Sequence, residues 1–245
     1  MLNDKINLYN DEIGKVEYVQ HMGTDLTVVN AARVSFGKQK DELDAKDRRL
    51  IEYLISHRHT STLEHNLVTL RFKVPVFVRS QHHRHRTWSF NEISRRYTDE
   101  NLEFYEPAKF RTQHESNRQA SNSDVLVDPM LATSSTILTT QLRVIFPSAS
   151  QALKEHHASS LRLYNQMLEA GVCREQARGV LPQNLYTEYY GTIDLNNLLK
   201  FIDLRSHEGA QWEIQRVAEA CKAIASELWP ITLESYEKVK EKRNG

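Results

Sequence analysis

The sequence predicts an α+β fold, and three observations support that prediction. Segments with the alternating apolar pattern of strands are interspersed with segments whose apolar residues recur every three or four positions, as on helices. The chain shows no internal repeat and no low-complexity linker that would divide it. Its 245 residues, 40% of them hydrophobic, are enough to build a buried core. We therefore expect a single domain that spans residues 1–245.

The first half of the chain contains two predicted strands and three predicted helices. The strands cover residues 15–23 and 66–74, and the second alternates strictly between apolar and polar residues. A helix is expected behind Thr24 or Asp25 as its cap, and another over residues 44–57. A short helix should follow Pro75 and carry the residues up to His85.

The second half is predicted to be mostly helical. Residues 112–150 begin rich in Ser, Asn and Gln, which favours a mobile insertion whose later part could be helical. An amphipathic helix should cover residues 150–170 and end at Gly171. The remaining predicted elements are a short helix from residue 174, a strand over residues 184–193, a helix capped by Asp194 and two final helices.

The overall composition excludes several classes of protein. The 32 Lys and Arg residues are balanced by 32 Asp and Glu residues, which argues against a surface that coats nucleic acid. The N-terminus lacks the apolar core of a signal peptide, and the apolar segments are too short to span a membrane. Two cysteines without a CxxC pair suggest neither a disulfide framework nor a zinc site. We expect a cytoplasmic protein that binds neither nucleic acid nor membrane.

Residues 81–96 form a cationic stretch within this neutral chain. Seven of its sixteen residues are Arg or His, namely His82, His83, Arg84, His85, Arg86, Arg95 and Arg96. One interpretation is a solvated surface, since such residues are mostly exposed. Trp88 and Phe90 interleave with the charges, however, and Glu92 is the only local counter-charge. These neighbours favour a binding role for the stretch.

Three kinds of ligand could explain the cationic stretch. A metal ion is suggested by nearby His57, His59 and His65, but two Arg residues beside His85 disfavour another cation. A single-stranded RNA could stack on the aromatic residues, namely Trp88, Phe90 and Tyr97, although the neutral overall charge counts against it. A phosphate attached to a planar base would use all the groups, because Arg binds phosphate bidentately and stacks on rings. A nucleotide or a flavin dinucleotide is therefore favoured, and no metal is expected.

Five blocks of sequence resemble the flavin-dependent thymidylate synthases, the ThyX family, in the order of the family. Arg84-His85-Arg86, seven further residues and Ser94 resemble the family signature. The other blocks are AARVSF at 31–36, HTSTLEH at 59–65, REQARGVLPQNLYTEYY at 174–190 and LRSHEGAQWEIQ at 204–215. Together they cover most of the chain outside residues 112–150.

This resemblance implies a reaction, its co-substrates and an assembly. The reaction is the reductive methylation of dUMP to dTMP, with 5,10-methylenetetrahydrofolate as carbon donor, FAD as hydride carrier and NADPH as reductant. The implied fold is a mixed α/β domain with a central, largely antiparallel sheet flanked by helices. The implied assembly is a homotetramer whose active sites are shared between subunits.

The resemblance also implies roles for individual residues. Positions that match the nucleotide site of the family are Gln81, His82, His83, Arg84, Glu92, Ser94, Arg95, Arg96, Arg178 and Arg205. Positions that match its FAD site are Ser61, Arg84, His85, Arg86, Glu92, Asp194, Asn196 and Lys200. Ser35, His59 and Tyr97 match pocket positions without an assigned role.

Arg205 matches the catalytic arginine of the family, and its chemistry is consistent with that role. C5 of uracil is a poor nucleophile, and ionisation at N3 enriches the ring with charge. A fixed guanidinium beside N3 favours that anion. No thiol nucleophile is then needed, and we expect Cys173 and Cys221 to pack rather than react. Ser94 has no evident His-carboxylate relay and should donate or accept a hydrogen bond.

The sequence departs from the family at one FAD-contacting triplet. Many members carry Asn-x-Arg there and an Asn or His four residues later, whereas this chain has Asp194-Leu195-Asn196 and Lys200. A cation is thus present at the later position, so FAD should still be held, while Asp194 could instead cap its helix. For Arg174, His207 and Trp212, structural roles are equally good or better explanations.

Overall fold

The computed structural model describes residues 4–118, 120–131 and 147–244. The strands in this part of the chain are β1 (Lys5–Asn7), β2 (Lys15–Met22), β3 (Leu67–Pro75), β4 (Ser89–Glu92), β5 (Phe110–Gln113), β6 (Ser121–Val127) and β7 (Tyr186–Asp194). The helices are α1 (Asp25–Arg33), α2 (Ala45–Ser56), α3 (Val76–His82), α4 (Ala149–Glu169), α5 (Arg174–Ala177), α6 (Leu195–Arg205), α7 (Trp212–Leu228) and α8 (Pro230–Asn244). None of the described helices is long and apolar enough to cross a membrane.

Backbone contacts group the chain into two compact units. The first unit contains the described residues up to 74 together with residues 78–92 and 188–244. The second contains residues 75–77 and the described part of 93–187. Each unit is described by itself below, and the expectation of a single domain stays a prediction.

A five-stranded sheet in the order β1-β2-β3-β7-β4 forms the centre of the first unit. β1 with β2, β2 with β3, and β4 with β7 all pair in antiparallel register. The start of β3 also lies against the end of β7, because the amide of Leu195 donates to the carbonyl of Asn66 at 2.8 Å. The predicted antiparallel sheet with accompanying helices is confirmed.

The alternation of β3 determines which of its residues enter the core. Val68, Leu70, Phe72 and Val74 are all nearly or fully buried, as the period-two pattern predicts. On the other face, Arg71 forms an ion pair of 2.5 Å with Glu188 of β7. Gly191 of β7 lies against the aromatic core, where a Cβ atom would approach Trp88 to 2.9 Å and Phe72 to 3.0 Å. A side chain at this position would displace both rings.

α6 begins and ends as its sequence predicts. The carboxylate of Asp194 accepts a hydrogen bond of 3.0 Å from the amide of Asn197, which confirms Asp194 as the N-cap. Leu195, Leu198, Leu199 and Ile202 form the predicted buried stripe. Arg205 is the last residue of the helix, where the helix dipole favours a cation.

Asp25 has a different role from the predicted one. Thr24 is the N-cap of α1, and its amide donates to the Thr27 hydroxyl at 3.0 Å. The buried carboxylate of Asp25 instead accepts hydrogen bonds from the amides of Ile231 and Thr232 at 3.0 and 2.9 Å. Asp25 therefore satisfies the free amides in the first turn of α8, about two hundred residues away in sequence.

The second unit contains a two-stranded hairpin and two helices. β5 and β6 pair antiparallel and overlap the start of residues 112–150, where the sequence predicted only an insertion. The possible helix in the later part of that segment falls largely outside the described residues. α4 matches the predicted amphipathic helix, and Gly171 follows it with a φ of 86°, as expected for a helix-ending glycine. The predicted mobility of the segment stays a prediction.

Candidate functional site

The Arg84-His85-Arg86 triplet lies in a turn between α3 and β4 of the first unit. The amide of His85 donates to the carbonyl of His82 at 3.0 Å, which forms this turn at the end of α3. Arg84 and Arg86 are exposed, and their guanidinium groups have no ion-pair partner within the described residues. Both cations are thus exposed to solvent, and their predicted role as ligands of an anion stays a prediction.

His85 and Arg205 meet although they are 120 positions apart in the chain. Nε of Arg205 donates a hydrogen bond of 2.9 Å to Nε2 of His85. Burial, together with the charge of Arg205, lowers the pKa of His85 to about 4. Burial also lowers the pKa of Arg205 from its ordinary value. His85 is therefore neutral near pH 7, and Arg205 remains the cation of the pair.

His82 is a core residue rather than a ligand on the surface. Its ring is fully buried, and Nδ1 lies 2.8 Å from the hydroxyl of Tyr189. The rings of Phe72, Trp88 and Phe201 pack around it at centroid distances of 4.6 to 4.8 Å. Burial lowers the pKa of His82 well below its ordinary value. The burial of the ring supports a packing role for His82, and its predicted contact with dUMP stays a prediction.

His83 occupies an intermediate position. Its ring stacks on Phe90 at a centroid distance of 4.0 Å and meets the Tyr189 ring edge-on at 5.0 Å. Burial lowers its pKa, while Glu92 and Arg79 act in opposite directions. His83 is therefore a neutral side chain that supports the aromatic cluster and still has an exposed edge.

Gln81 and Glu92 are each held by residues that the sequence did not single out. The Gln81 amide donates to Gln211, whose own amide donates to the buried carboxylate of Glu213 at 2.9 Å. Glu92 pairs with Arg79 of α3 at 3.1 Å. Gln211 and Glu213 lie in the LRSHEGAQWEIQ block, so the resemblance of this block to the family could have drawn attention to both residues. Arg79 lies two positions before Gln81 on α3 and belongs to none of the five blocks, so nothing in the sequence marked it.

The predicted FAD-contacting residues on and near α6 fall into two groups. Some have structural partners within the fold, and others are exposed to solvent. Asn196 is buried, and its amide donates to Glu64 at 2.9 Å, which supports a structural role, while its flavin contact stays a prediction. Asp194 caps α6, as the alternative interpretation predicted. Lys200 is exposed on the same helix, and Ser61 is exposed in the short 3-10 helix Thr60–Leu63. Lys200 and Ser61 thus fit an anionic cofactor, whereas Asp194 and Asn196 serve the fold.

The two pocket positions of the first unit lie on exposed turns. Ser35 lies in the 3-10 helix Val34–Phe36, next to a cavity of about 550 Å³ that Val34 and His65 help to line. His59 lies beside Tyr53, with the two rings nearly parallel at 6.2 Å. Both side chains are accessible, and their roles stay predictions.

In the second unit, two ion pairs join the loop after β4 to α5. Arg96 pairs with Glu175 at 3.2 Å, and Arg174 pairs with Asp99 at 3.1 Å. All four side chains are exposed at 40% or more, so each pair contributes little to stability. The structural interpretation of Arg174 as a surface ion pair is thereby supported.

The remaining predicted residues of the second unit differ in how they are held. The Arg95 guanidinium donates to the carbonyl of Glu100 at 2.6 Å and, more weakly, to that of Tyr186 at 3.4 Å, so it holds the loop. The Ser94 hydroxyl accepts from the amide of Arg96 at 3.3 Å, without a His-carboxylate relay. Arg178 is exposed without an ion-pair partner in the described part of the chain, and Tyr97 is 81% exposed.

The surroundings of the aromatic and metal-ligating side chains bear on the RNA and metal alternatives. The RNA alternative required base stacking on Trp88, which is only 6% exposed and packs in the core. Across the described residues, no three His, Cys, Asp or Glu side chains are grouped so that they could hold a metal ion.

The two cysteines differ in their surroundings. Cys221 is buried, which raises the pKa of its thiol and makes it inert. Cys173 is exposed before α5, so the prediction that it packs was wrong, because its position before the helix faces solvent.

Comparisons with known proteins agree with this arrangement. The model of the family described as thymidylate synthase complementing protein matches residues 17–231. A flavin-dependent thymidylate synthase of Thermus thermophilus is 41% identical over 91% of this chain and 76% of its own. A flavin-dependent thymidylate synthase of Thermotoga neapolitana is 40% identical over 91% of this chain and 90% of its own. A crystal structure of the UMP/dUMP methylase PolB from Streptomyces cacaoi, bound with 5-Br dUMP, aligns with a TM-score of 0.72 at 32% identity, over 95% of this chain and 97% of that chain.

Proposed function

The chain belongs to the family of flavin-dependent thymidylate synthases, and we propose that it converts dUMP to dTMP by reductive methylation. In this proposal 5,10-methylenetetrahydrofolate donates the carbon and NADPH is the reductant. Thymidylate for DNA precursors is the product. The protein would act in the cytoplasm as a homotetramer with shared sites, and without nucleic acid or membrane as a partner.

One observation carries the proposal. The Arg84-His85-Arg86 triplet and Arg205, which are far apart in sequence, are joined by the hydrogen bond between His85 and Arg205. This contact places a partly desolvated guanidinium against the central residue of the triplet, whose two arginines are exposed. A charge held in a drier environment acts more strongly on a neighbouring ligand than one in bulk water.

The side chains of the first unit fit a flavin dinucleotide. Arg84, Arg86 and Lys200 are exposed cations that can bind its phosphates, and Ser61 offers a hydroxyl. His85 and Glu92 are the further proposed contacts, whereas Asp194 and Asn196 act through the fold of α6. When bound, FAD carries the hydride from NADPH to the transferred carbon unit.

The proposed dUMP ligands act by charge and by hydrogen bonding. Gln81, Arg84, Glu92 and Arg205 belong to the first unit, and Ser94, Arg95, Arg96 and Arg178 belong to the second. Of the second group, Arg178 is the cation with no ion-pair partner among the described residues, so it is the most available for a phosphate. His83 is a further proposed contact, and His59, Tyr97 and Ser35 are proposed contacts without an assigned role.

Arg205 supplies the catalytic electrostatics in this proposal. A guanidinium beside N3 stabilises the uracil anion, and the anion makes C5 nucleophilic towards the carbon donor. Each unit of pKa shift at N3 corresponds to about 1.4 kcal/mol, which one well-placed charge can provide. Cys221 is too deeply buried to attack the ring, so activation by Arg205 is the route that the side chains support.

The visible absorption spectrum of the purified protein tests the proposal. The expected spectrum is that of bound flavin, bleached by NADPH in the presence of dUMP. The same preparation should release tritium from [5-³H]dUMP when the folate is added. UMP is the parallel substrate, because the structural relative from Streptomyces cacaoi is described as a UMP/dUMP methylase. A colourless protein that takes up no FAD and releases no tritium would refute the proposal.

A further inference from the structure

We propose that His85 is a positioning residue for Arg205, in addition to its proposed contact with the flavin. This role rests on the proposed function and deepens it. The geometry that supports it is the hydrogen bond of 2.9 Å from Nε of Arg205 to Nε2 of His85. Through this bond, His85 fixes the direction in which the guanidinium faces the uracil ring.

The direction of the hydrogen bond determines the tautomer of His85. A guanidinium nitrogen can only donate, so Nε2 must carry a lone pair and the ring proton must lie on Nδ1. The titratable groups beside the ring are Arg205 of α6, which is charged, and His82 of α3, whose ring is neutral and lies at a centroid distance of 6.4 Å. Burial of the His85 ring and the positive charge of Arg205 both disfavour a protonated imidazole. The acceptor is thus present throughout the neutral pH range.

The orientation of the ring is fixed by the helix that also carries Arg205. Phe201 lies one turn earlier on α6, is almost fully buried, and meets the His85 ring edge-on at 4.9 Å and 85°. α6 therefore provides both the packing contact and the hydrogen-bond donor. A tilt of the imidazole out of its plane would disturb both the contact with Phe201 and the hydrogen bond to Arg205.

Occupation of Nε by His85 decides which atoms of Arg205 face a ligand. The two terminal nitrogens have no partner in the described part of the chain, and they form the fork that binds an anion bidentately. Without Nε2 of His85, the partly buried Nε–H of Arg205 would need another acceptor. The guanidinium group, including its two terminal nitrogens, would then take a different orientation. His85 would thus couple the triplet that contacts the flavin to the group that activates the nucleotide.

A double-mutant cycle on the FAD-loaded protein tests this role. His85→Phe keeps a planar ring but removes the acceptor, and His85→Gln keeps an oxygen acceptor at the reach of Nε2. We expect His85→Phe to weaken dUMP binding about tenfold in calorimetry, and His85→Gln to restore most of that loss. In an Arg205→Ala background, His85→Phe should change the dUMP dissociation constant less than twofold. His156→Gln, an exposed histidine on α4, is the matched control and should bind dUMP like the parent.

The outcomes separate this role from the proposed function. Equal losses from His85→Phe with and without Arg205 would overturn the positioning role and leave the function intact. The same holds if His85→Gln restores nothing. A parent protein that binds neither FAD nor dUMP would overturn both. Should His85→Phe fail to fold in thermal melting, His85→Asn replaces it, because its shorter side chain also lacks an acceptor at the position of Nε2.

Discussion

The two ends of the cationic stretch differ in the burial and the charge of their side chains. In the first unit, His82, His83 and His85 are buried to different degrees, and burial lowers the pKa of each. In the second unit, Arg96 stays in solvent and shares its charge with Glu175. The stretch is therefore less cationic than its composition suggests, because its histidines are neutral and its arginines carry the charge. Residue type and burial together determine which side chains of the stretch offer a positive charge to a ligand.

Arg205→Ala should give the largest effect of any change to the first unit. We expect turnover to fall by about 10² to 10³, since a preorganised charge in a dry site is removed, while FAD stays bound. The measurements are tritium release from [5-³H]dUMP and the visible spectrum of the variant. Arg86→Ala is the matched control and should lose FAD first. Activity equal to that of the parent would exclude a role for Arg205 at N3.

Substitution of the buried aromatic residue of the stretch should mainly affect stability. Trp88→Ala is expected to lower the free energy of unfolding by about 3 to 5 kcal/mol, because it removes packing around His82 and Phe72. Tyr97→Ala, at the exposed end of the stretch, should change it by about 0.5 kcal/mol or less. Urea unfolding of both variants measures the difference. Similar values would show that Trp88 is not a core residue.

Acid should destabilise the first unit through its neutral histidines. Their pKa values are lower in the folded state than in the unfolded chain, so unfolding takes up protons. Stability is then full above the ordinary histidine pKa of about 6.5 and falls as the pH drops towards about 4, the pKa of folded His85. Urea unfolding between pH 7 and pH 4.5 should show this decline, and His85→Gln should make it shallower. A decline of the same steepness in that variant would contradict the assignment.

The smallest effect is expected from the ion pair of the second unit. Glu175→Gln should change the free energy of unfolding by less than about 1 kcal/mol, because both partners are exposed. If Arg96 binds the nucleotide, dUMP should bind about two- to fivefold more tightly, since the guanidinium no longer shares its charge. Calorimetric titration at low salt measures this change, and Asp99→Asn is the control on the neighbouring pair. Weaker binding would argue against a nucleotide contact of Arg96.

The sequence predicted the elements whose signals are local. Strand β3 follows from strict alternation, and the start of α6 follows from Asp194 as a cap before an apolar stripe. β4 was missed because its four residues lie inside the charged stretch and are defined by pairing with β7. Pairing partners are distant in sequence, so no local pattern could reveal that strand.

The residues of the candidate site that belong to sequence motifs could be predicted. The contacts between them, which depend on packing, could not. Arg84, His85, Arg86 and Arg205 were found by resemblance, but the contact between His85 and Arg205 depends on how α6 meets the turn after α3. His82 is a histidine like His83 and His85, and it was predicted to contact the nucleotide. Its position on α3 places its side chain in the core instead. Charge counts in a sequence cannot distinguish these two surroundings.

The capping of α8 by Asp25 has a consequence for how the protein is made. Asp25 emerges early from the ribosome, and the amides that satisfy its buried carboxylate belong to Ile231 and Thr232. The indole of Trp229 likewise donates to Asn66 at 3.2 Å, which joins the end of the chain to β3. A nascent chain that lacks these last residues leaves a charged group and an amide without partners. The first unit is therefore completed only when the C-terminal helix has been synthesised, and shortened chains should be targets for proteolysis.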